Sequence, residues 1–133
     1  MLLDNLLCGG MREDGGTLRW NSTLEELNLG ENDLGEVGGR TQTEALRLNA
    51  TLTSLNLGWN HLGEGGGRAL AETLRLNPTV TSLNLSDDGL GEGGGQALAE
   101  ALRLNTKITL LYCRWNDLRK EVRSALGQAW GDR

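Results

Sequence analysis

An α/β solenoid, with a curved parallel β-sheet on the concave face and α-helices on the convex face, is the architecture to which this 133-residue chain points. Three observations carry that expectation. Apolar residues hold one spacing of 28 residues in four registers: Leu24, Leu52, Val80, Ile108; Leu27, Leu55, Leu83, Leu111; Leu29, Leu57, Leu85, Cys113; and Leu34, Leu62, Leu90, Leu118. Within each unit the apolar period changes, from alternation in Leu55-Asn56-Leu57 to a helical pattern from Arg68 to Leu76. Self-similarity at this length means that each unit buries its apolar face against the next.

Taken in chain order, residues 1–21 read as a degenerate N-terminal partial repeat. Thr17-Leu18-Arg19-Trp20-Asn21 aligns with Thr73-Leu74-Arg75-Leu76-Asn77, and Asp4 and Leu6 align with Asn60 and Leu62. The strand of that unit is missing, and Asp14 stands where a helix would carry Leu70. Trp20 and Trp130 occupy core leucine positions and are expected inside. Residues 22–117 form the repeats proper, each a strand, a loop, a helix and a return. Ala69, Leu70, Thr73 and Leu74 define the inward helix face. Arg68–Glu72, Glu72–Arg75, Glu44–Arg47 and Glu100–Arg103 are expected as self-paired surface charges. Asn49, Asn77 and Asn105 close the helices, where a left-handed residue is tolerated. Residues 118–133 form a C-terminal capping helix, with Leu118, Val122, Leu126 and Trp130 inward and a polar outer face. Strands stack about 4.8 Å apart but helices need about 10 Å, so the stack curves with its strands inside.

Asn32, Asn60, Asp88 and Asn116 share the register at which strand becomes loop. A buried carboxamide there both donates and accepts. Asp88 only accepts when ionised, so the third turn is expected to be the least well satisfied unless Asp88 is exposed or protonated. The runs Gly63-Glu64-Gly65-Gly66-Gly67 and Gly91-Glu92-Gly93-Gly94-Gly95 lack the Lys-Ser/Thr of a phosphate loop and recur at the solenoid period. They are expected to give a tight start to each helix packed closely on the adjacent turn. In that reading Gly38, Gly66 and Gly94 become Val122 because no further turn follows.

Composition narrows the function. Net charge is −6 over residues 1–66 and +1 over 67–133, giving −5 in all, a sign that disfavours nucleic acid. Cys113 replaces a core leucine and Cys8 lies far off, so no disulfide framework is expected and a reduced, cytoplasmic setting fits. The N-terminal stretch lacks the basic region of a signal peptide, and no membrane association is expected. Asn21-Ser22-Thr23, Asn49-Ala50-Thr51 and Asn84-Leu85-Ser86 match the glycosylation acceptor pattern but carry little weight without such a signal. His61, the one histidine, falls on an exposed loop register. With two distant cysteines it builds no zinc site. No nucleophile, metal or cofactor arrangement is present, and the chain is expected not to be an enzyme.

The pattern Leu-x-x-Leu-x-Leu-x-x-Asn-x-Leu-Gly, followed by a glycine-rich run and Ala-Leu-Ala-Glu-x-Leu, resembles the ribonuclease-inhibitor-type leucine-rich repeat found in NOD-like receptors, ribonuclease inhibitors and Ran-type GTPase-activating proteins. The resemblance covers roughly Leu18 to Trp130. It departs at Gln42, which takes the place of Leu70 and Leu98, and in the last unit, which lacks the glycine run. It implies a non-enzymatic module that binds another protein on its concave face, or alternatively a regulatory fragment of a GTPase-activating or NOD-like sensor protein. By register that face comprises Glu26, Asn28 and Gly30; Ser54, Asn56 and Gly58; Ser82, Asn84 and Ser86; and Leu110, Tyr112 and Arg114. A further row at the strand ends holds Glu31, Trp59, Asp87 and Trp115. Indoles among carboxylates suit an Arg or Lys side chain from a basic protein surface. Self-association through the weak N-terminal end also fits.

Overall fold

The computed structural model describes residues 21–131. The expectations for residues 1–20, including Cys8 and Trp20, and for the side chain of Trp130 lie outside the described residues. Four strands alternate with four helices: β1 (Glu26–Asn28), α1 (Gly35–Leu48), β2 (Ser54–Asn56), α2 (Gly63–Leu76), β3 (Ser82–Asn84), α3 (Gly91–Leu104), β4 (Leu110–Tyr112) and α4 (Lys120–Gly131). The strands form one parallel sheet in chain order. Its register is the repeat itself, Leu27 beside Leu55, Leu55 beside Leu83 and Leu83 beside Leu111. A strand of three residues can offer little ladder, so its neighbours extend the pairing: Leu29, Leu57 and Leu85 donate N–H groups to Asn56, Asn84 and Tyr112 at 2.7–2.9 Å.

The core lies between sheet and helices. Leu24, Leu27, Leu29, Leu52, Leu55 and Leu57 from the strand side meet Leu46, Leu70, Leu74, Leu98 and Leu102 from the helices, all buried. Each leucine removed from water in this way contributes about 1.5–3 kcal/mol. On α2 the buried face is Leu70, Ala71, Thr73 and Leu74, with Ala69 only half-buried. The expected inward face thus holds at Leu70, Thr73 and Leu74, with Ala71 buried in place of Ala69. Gln42 is buried at the leucine position it replaces.

The glycines start the helices rather than lead into them, and the close approach falls one residue later than expected. A side chain at Gly38, Gly66 or Gly94 would meet the leucine that precedes its own helix. At Gly39, Gly67 and Gly95 a Cβ would stand 2.6, 2.9 and 2.6 Å from Leu62, Leu90 and Leu118 of the next turn. Val122, at the Gly94 register of the last unit, packs its Cγ1 against Gly95 of the preceding turn.

Among the charges, Glu44–Arg47 and Glu72–Arg75 pair as expected at 3.3 Å. Glu100–Arg103 forms no such pair among the described residues. Arg68 turns back to Glu64 at 2.7 Å rather than forward to Glu72. Glu64 faces the start of α3, where its Oε2 accepts the Gly93 N–H at 3.1 Å. No side chain caps α3 from within, so a carboxylate from the preceding turn meets the positive end of the helix dipole.

Candidate functional site

Two asparagine ladders hold the strand ends in place, and only one was foreseen. In the first, Asn60 Nδ2 donates to Leu29 O and Leu57 O at 2.8 and 2.7 Å, while its Oδ1 accepts the N–H groups of Asn32 and Leu34 at 3.0 and 3.3 Å. Asn116 repeats this toward Leu85 O and Cys113 O, and toward the N–H groups of Asp88 and Leu90. Each carboxamide bridges two turns. Asp88 is 0% exposed, and its Oδ1 accepts the Asn60 N–H at 2.8 Å, but Oδ2 has no partner. Burial pushes this carboxyl up to about 7, against the hydrogen bonds from Asn60 and Leu62 that favour the charged form.

The second ladder is Asn21, Asn49, Asn77 and Asn105. The last three sit in extended backbone after their helices, with φ of −89°, −73° and −96°, not in the left-handed conformation expected of a helix end. Asn49 Oδ1 accepts the N–H groups of Thr51 and Leu52, and its Nδ2 donates to Asn21 O at 3.0 Å. Asn77 Oδ1 likewise accepts from Thr79 and Val80, and Asn105 Oδ1 from Lys107 and Ile108, while Asn77 Nδ2 donates to Leu46 O and Asn105 Nδ2 to Leu74 O and Asn77 O. A signal was present: Asn recurs at 28-residue spacing just before the first apolar register. The acceptor-like triplet at Asn49 is thus a buried structural element.

On the sheet face, Asn28, Asn56 and Asn84 use their Oδ1 atoms to accept the N–H groups of Gly30, Gly58 and Ser86, each at 2.9 Å. Their Nδ2 groups have no acceptor among the described residues and remain available. Ser54 and Ser82 are half-buried between them, and Glu26 and Tyr112 are exposed at the two ends. Arg114 is exposed beyond Tyr112, without an ion-pair partner among the described residues.

The row at the strand ends has a property that register alone could not reveal. Glu31, Trp59, Asp87 and Trp115 all have left-handed backbone, with φ of 61°, 64°, 54° and 58°. Such a conformation is uncommon for any residue but Gly, Asn or Asp, and costs about 1 kcal/mol or more. In the first three turns it comes with a hydrogen bond to the next turn: Glu31, Trp59 and Asp87 donate N–H groups to Gly58, Ser86 and Arg114 at 2.8–3.0 Å. Trp59 and Trp115 stand two turns apart, with the half-buried Asp87 at the same register of the turn between them, and their rings meet, centroids 5.7 Å apart and planes at 53°. They stay 47% and 65% exposed. The indoles therefore form one tilted pair rather than separate members of an open row.

Cys113 is half-buried rather than buried, and burial raises its thiol above the ordinary range. His61 is exposed, with Nδ1 at 3.3 Å from Asp33. Among the described residues no group of three His, Cys, Asp or Glu is placed to hold a metal ion, and no helix is long and apolar enough to cross a membrane.

Comparison with known proteins agrees with this architecture. A family described as Leucine Rich repeat matches residues 21–41, 48–71 and 76–99. No curated protein sequence matches the chain. Among solved structures, it is similar to leiomodin-1 actin-binding site 2, with a TM-score of 0.75 and 23% identity over 86% of this chain and 66% of that one. The C-terminal domain of tropomodulin from Caenorhabditis elegans aligns with a TM-score of 0.55 and 14% identity, over 97% of this chain and 92% of that one. The chain thus spans just under two thirds of the leiomodin structure. With matches over more than half of its length and four parallel turns in one register, the chain belongs to the leucine-rich repeat family.

Proposed function

We propose that this chain is a non-enzymatic protein-binding module that engages a partner on the concave sheet face, with the Trp59–Trp115 pair as its anchor. The observation that carries the reading is that pair: two large, exposed aromatic side chains held by strained backbone and in contact with each other. Exposed indoles on a rigid support are the residue type that dominates binding energy at interfaces. A guanidinium or ammonium group over either ring would gain from its face and from Asp87 and Glu31 together. The free Nδ2 donors of Asn28, Asn56 and Asn84 would orient backbone carbonyls of the same partner. Glu26, Ser54, Ser82, Tyr112 and Arg114 complete the contact surface. The 28-residue unit supports the ribonuclease-inhibitor-type subclass, and a reduced cytoplasmic setting suits its unpaired Cys113.

Actin is the first purified partner to try, since the leiomodin structure that this fold resembles is named for binding it. The broader test is affinity capture from native lysate with the wild-type chain and with the Trp59→Ala/Trp115→Ala variant, quantified by mass spectrometry. At least one captured protein should fall about tenfold or more in the variant. Identical capture profiles, with the variant shown to be folded, would remove the concave face from consideration. A GTPase hydrolysis assay separates the alternative reading, since only a GTPase-activating fragment accelerates turnover by its partner.

A further inference from the structure

The convex side of the stack carries a row of leucines that the core does not use. Leu48, Leu76 and Leu104 end α1, α2 and α3 at one register and are 60%, 81% and 63% exposed. Aligned with position 20, this register was expected in the core, but at these three turns it lies on the surface. The physical reason is helix rotation: the inward face ends at the buried Leu46, Leu74 and Leu102, and two further residues turn the next side chain by about 200°. A single surface leucine is ordinary. Three at one register, on neighbouring helices, make a repeated apolar feature of the surface.

Two grooves with matching walls run between these helices. The first, of about 390 Å³, lies between α1 and α2 and is lined by Glu44, Arg47, Ala69, Glu72 and Leu76 among others. The second, of about 460 Å³, lies between α2 and α3, with Glu72, Arg75, Ala97, Glu100 and Leu104 in its walls. Each of these five positions advances by 28 residues and keeps its residue type. A groove therefore offers a leucine, an alanine, and two carboxylates against one arginine. Arg47 and Arg75 are already bound by Glu44 and Glu72 at 3.3 Å. Arg68, which also lines the second groove, is held by Glu64 at 2.7 Å. Glu100 has no ion pair among the described residues, and Arg103 falls by register toward α4, beyond both grooves. The surplus charge of the grooves is thus negative.

We propose that these two grooves are a docking site for a basic amphipathic α-helix of a partner protein, laid across α1, α2 and α3. Helices packed side by side sit about 10 Å apart, and equivalent points of the two grooves are separated by that step. On an α-helix, side chains seven residues apart share a face and stand about 10.5 Å from each other. On a strand, side chains of one face are about 6.8 or 13.6 Å apart, which misses the step. Large apolar side chains at i and i+7 therefore enter the two grooves beside Leu76 and Leu104, and Leu48 extends the row by one more step. Lysine or arginine next to these anchors meets Glu72 and Glu100. None of these residues belongs to the sheet face, and neither reading depends on the other.

The test uses the full chain and fluorescein-labelled, alanine-based peptides of about 18 residues, long enough to be helical. The probe carries leucine at every seventh position and lysine three residues after each leucine. Fluorescence anisotropy should show saturable binding that weakens at high salt. A peptide of the same composition with its leucines spread round the helix should bind about tenfold more weakly or worse. Leu76→Gln/Leu104→Gln should weaken the probe to a similar degree, and both side chains are exposed, so the variant keeps its fold. Glu100→Gln should weaken the lysine probe but not a version with glutamine in place of lysine. Trp59→Ala should leave binding unchanged. Equal affinity for the two leucine arrangements, retained binding in the double leucine variant, or no binding at about 1 mM probe would each overturn the proposal. So would tighter binding by a polyproline peptide with leucine at every third residue, a step of about 9.3 Å. Self-association in sedimentation velocity, or flotation with phosphatidylcholine vesicles, that the double variant removes while the probe does not bind would likewise overturn it, assigning the row to a second copy of the chain or to a lipid surface.

Discussion

The carboxamides of Asn60 and Asn116 hold two turns together because one atom donates while the other accepts. Asp88 occupies the same place with two acceptors. By register its Oδ2 lies where the others present NH2 to Leu57 O and Leu85 O, so the ionised group would set negative charge against carbonyl oxygens. A proton on Oδ2 turns that contact into a hydrogen bond, in keeping with a carboxyl that titrates near 7 rather than 3.8. The sign of the pH effect follows. A folded-state value above the unfolded one means that the native chain holds the proton more tightly. The contribution is fully present below about 3.8 and is lost as pH rises to about 7. At 1.36 kcal/mol per unit it amounts to something on the order of 4 kcal/mol. Asp88→Asn restores both donors and does not titrate. We expect the variant to exceed wild type by about 1–3 kcal/mol at pH 8 in urea denaturation, with a clearly smaller gap at pH 5. An equal gap at the two pH values would mean that Asp88 does not change protonation in that range.

At the level of the helix, two glycines of the same type carry opposite expectations. Gly127 lies in α4 with open space around its missing side chain, so Gly127→Ala adds helix propensity alone and should stabilise by about 0.5–1 kcal/mol. Gly67 lies in α2, where a Cβ would stand 2.9 Å from Leu90 Cδ2 and 3.3 Å from the Gly94 Cα. Leu90 can shift, but the Gly94 backbone moves only if α2 and α3 part. Gly67→Ala should therefore lower stability by about 1–3 kcal/mol despite its better propensity, and thermal unfolding of the two variants side by side tests the contrast. This difference marks the limit of what the chain's pattern conveys. Period-two leucines placed every strand and its register correctly, since only one alternation buries Leu27, Leu55 and Leu83 together. Glycine has no side chain to pattern, so which of Gly38 and Gly39 touches the next turn depends on how the helix is rotated against its neighbour. The asparagine ladder ending at Asn105 was legible as a 28-residue recurrence, but its extended backbone was not. The Trp59–Trp115 contact spans two turns, farther than an argument from one repeat to the next reaches.

Across the molecule, nearly every long-range contact joins one turn to the next, from the strand pairs to the helix neighbours α1–α2, α2–α3 and α3–α4. Stability in such an array is approximately a sum of turn and interface contributions. The turns are unequal: the first buries Gln42 in a leucine position, the third carries Asp88, and the fourth leaves Leu111, Cys113 and Leu118 half-buried. The second turn, with Asn60 fully engaged and Leu57, Leu62, Leu70 and Leu74 buried, is the best satisfied. Duplicating residues 58–85 inserts one such turn without changing either end. Both asparagine registers, the Leu27-type pairing and the glycine contact between helices then continue in step. We expect a higher denaturation midpoint and a larger urea m-value, since one more turn adds buried surface in proportion to its length. Lengthening the same insertion by a single residue shifts the following strand out of phase and turns its leucines to solvent, so the midpoint should fall below that of the natural chain. If both insertions were tolerated equally, the 28-residue register would not be what holds adjacent turns together.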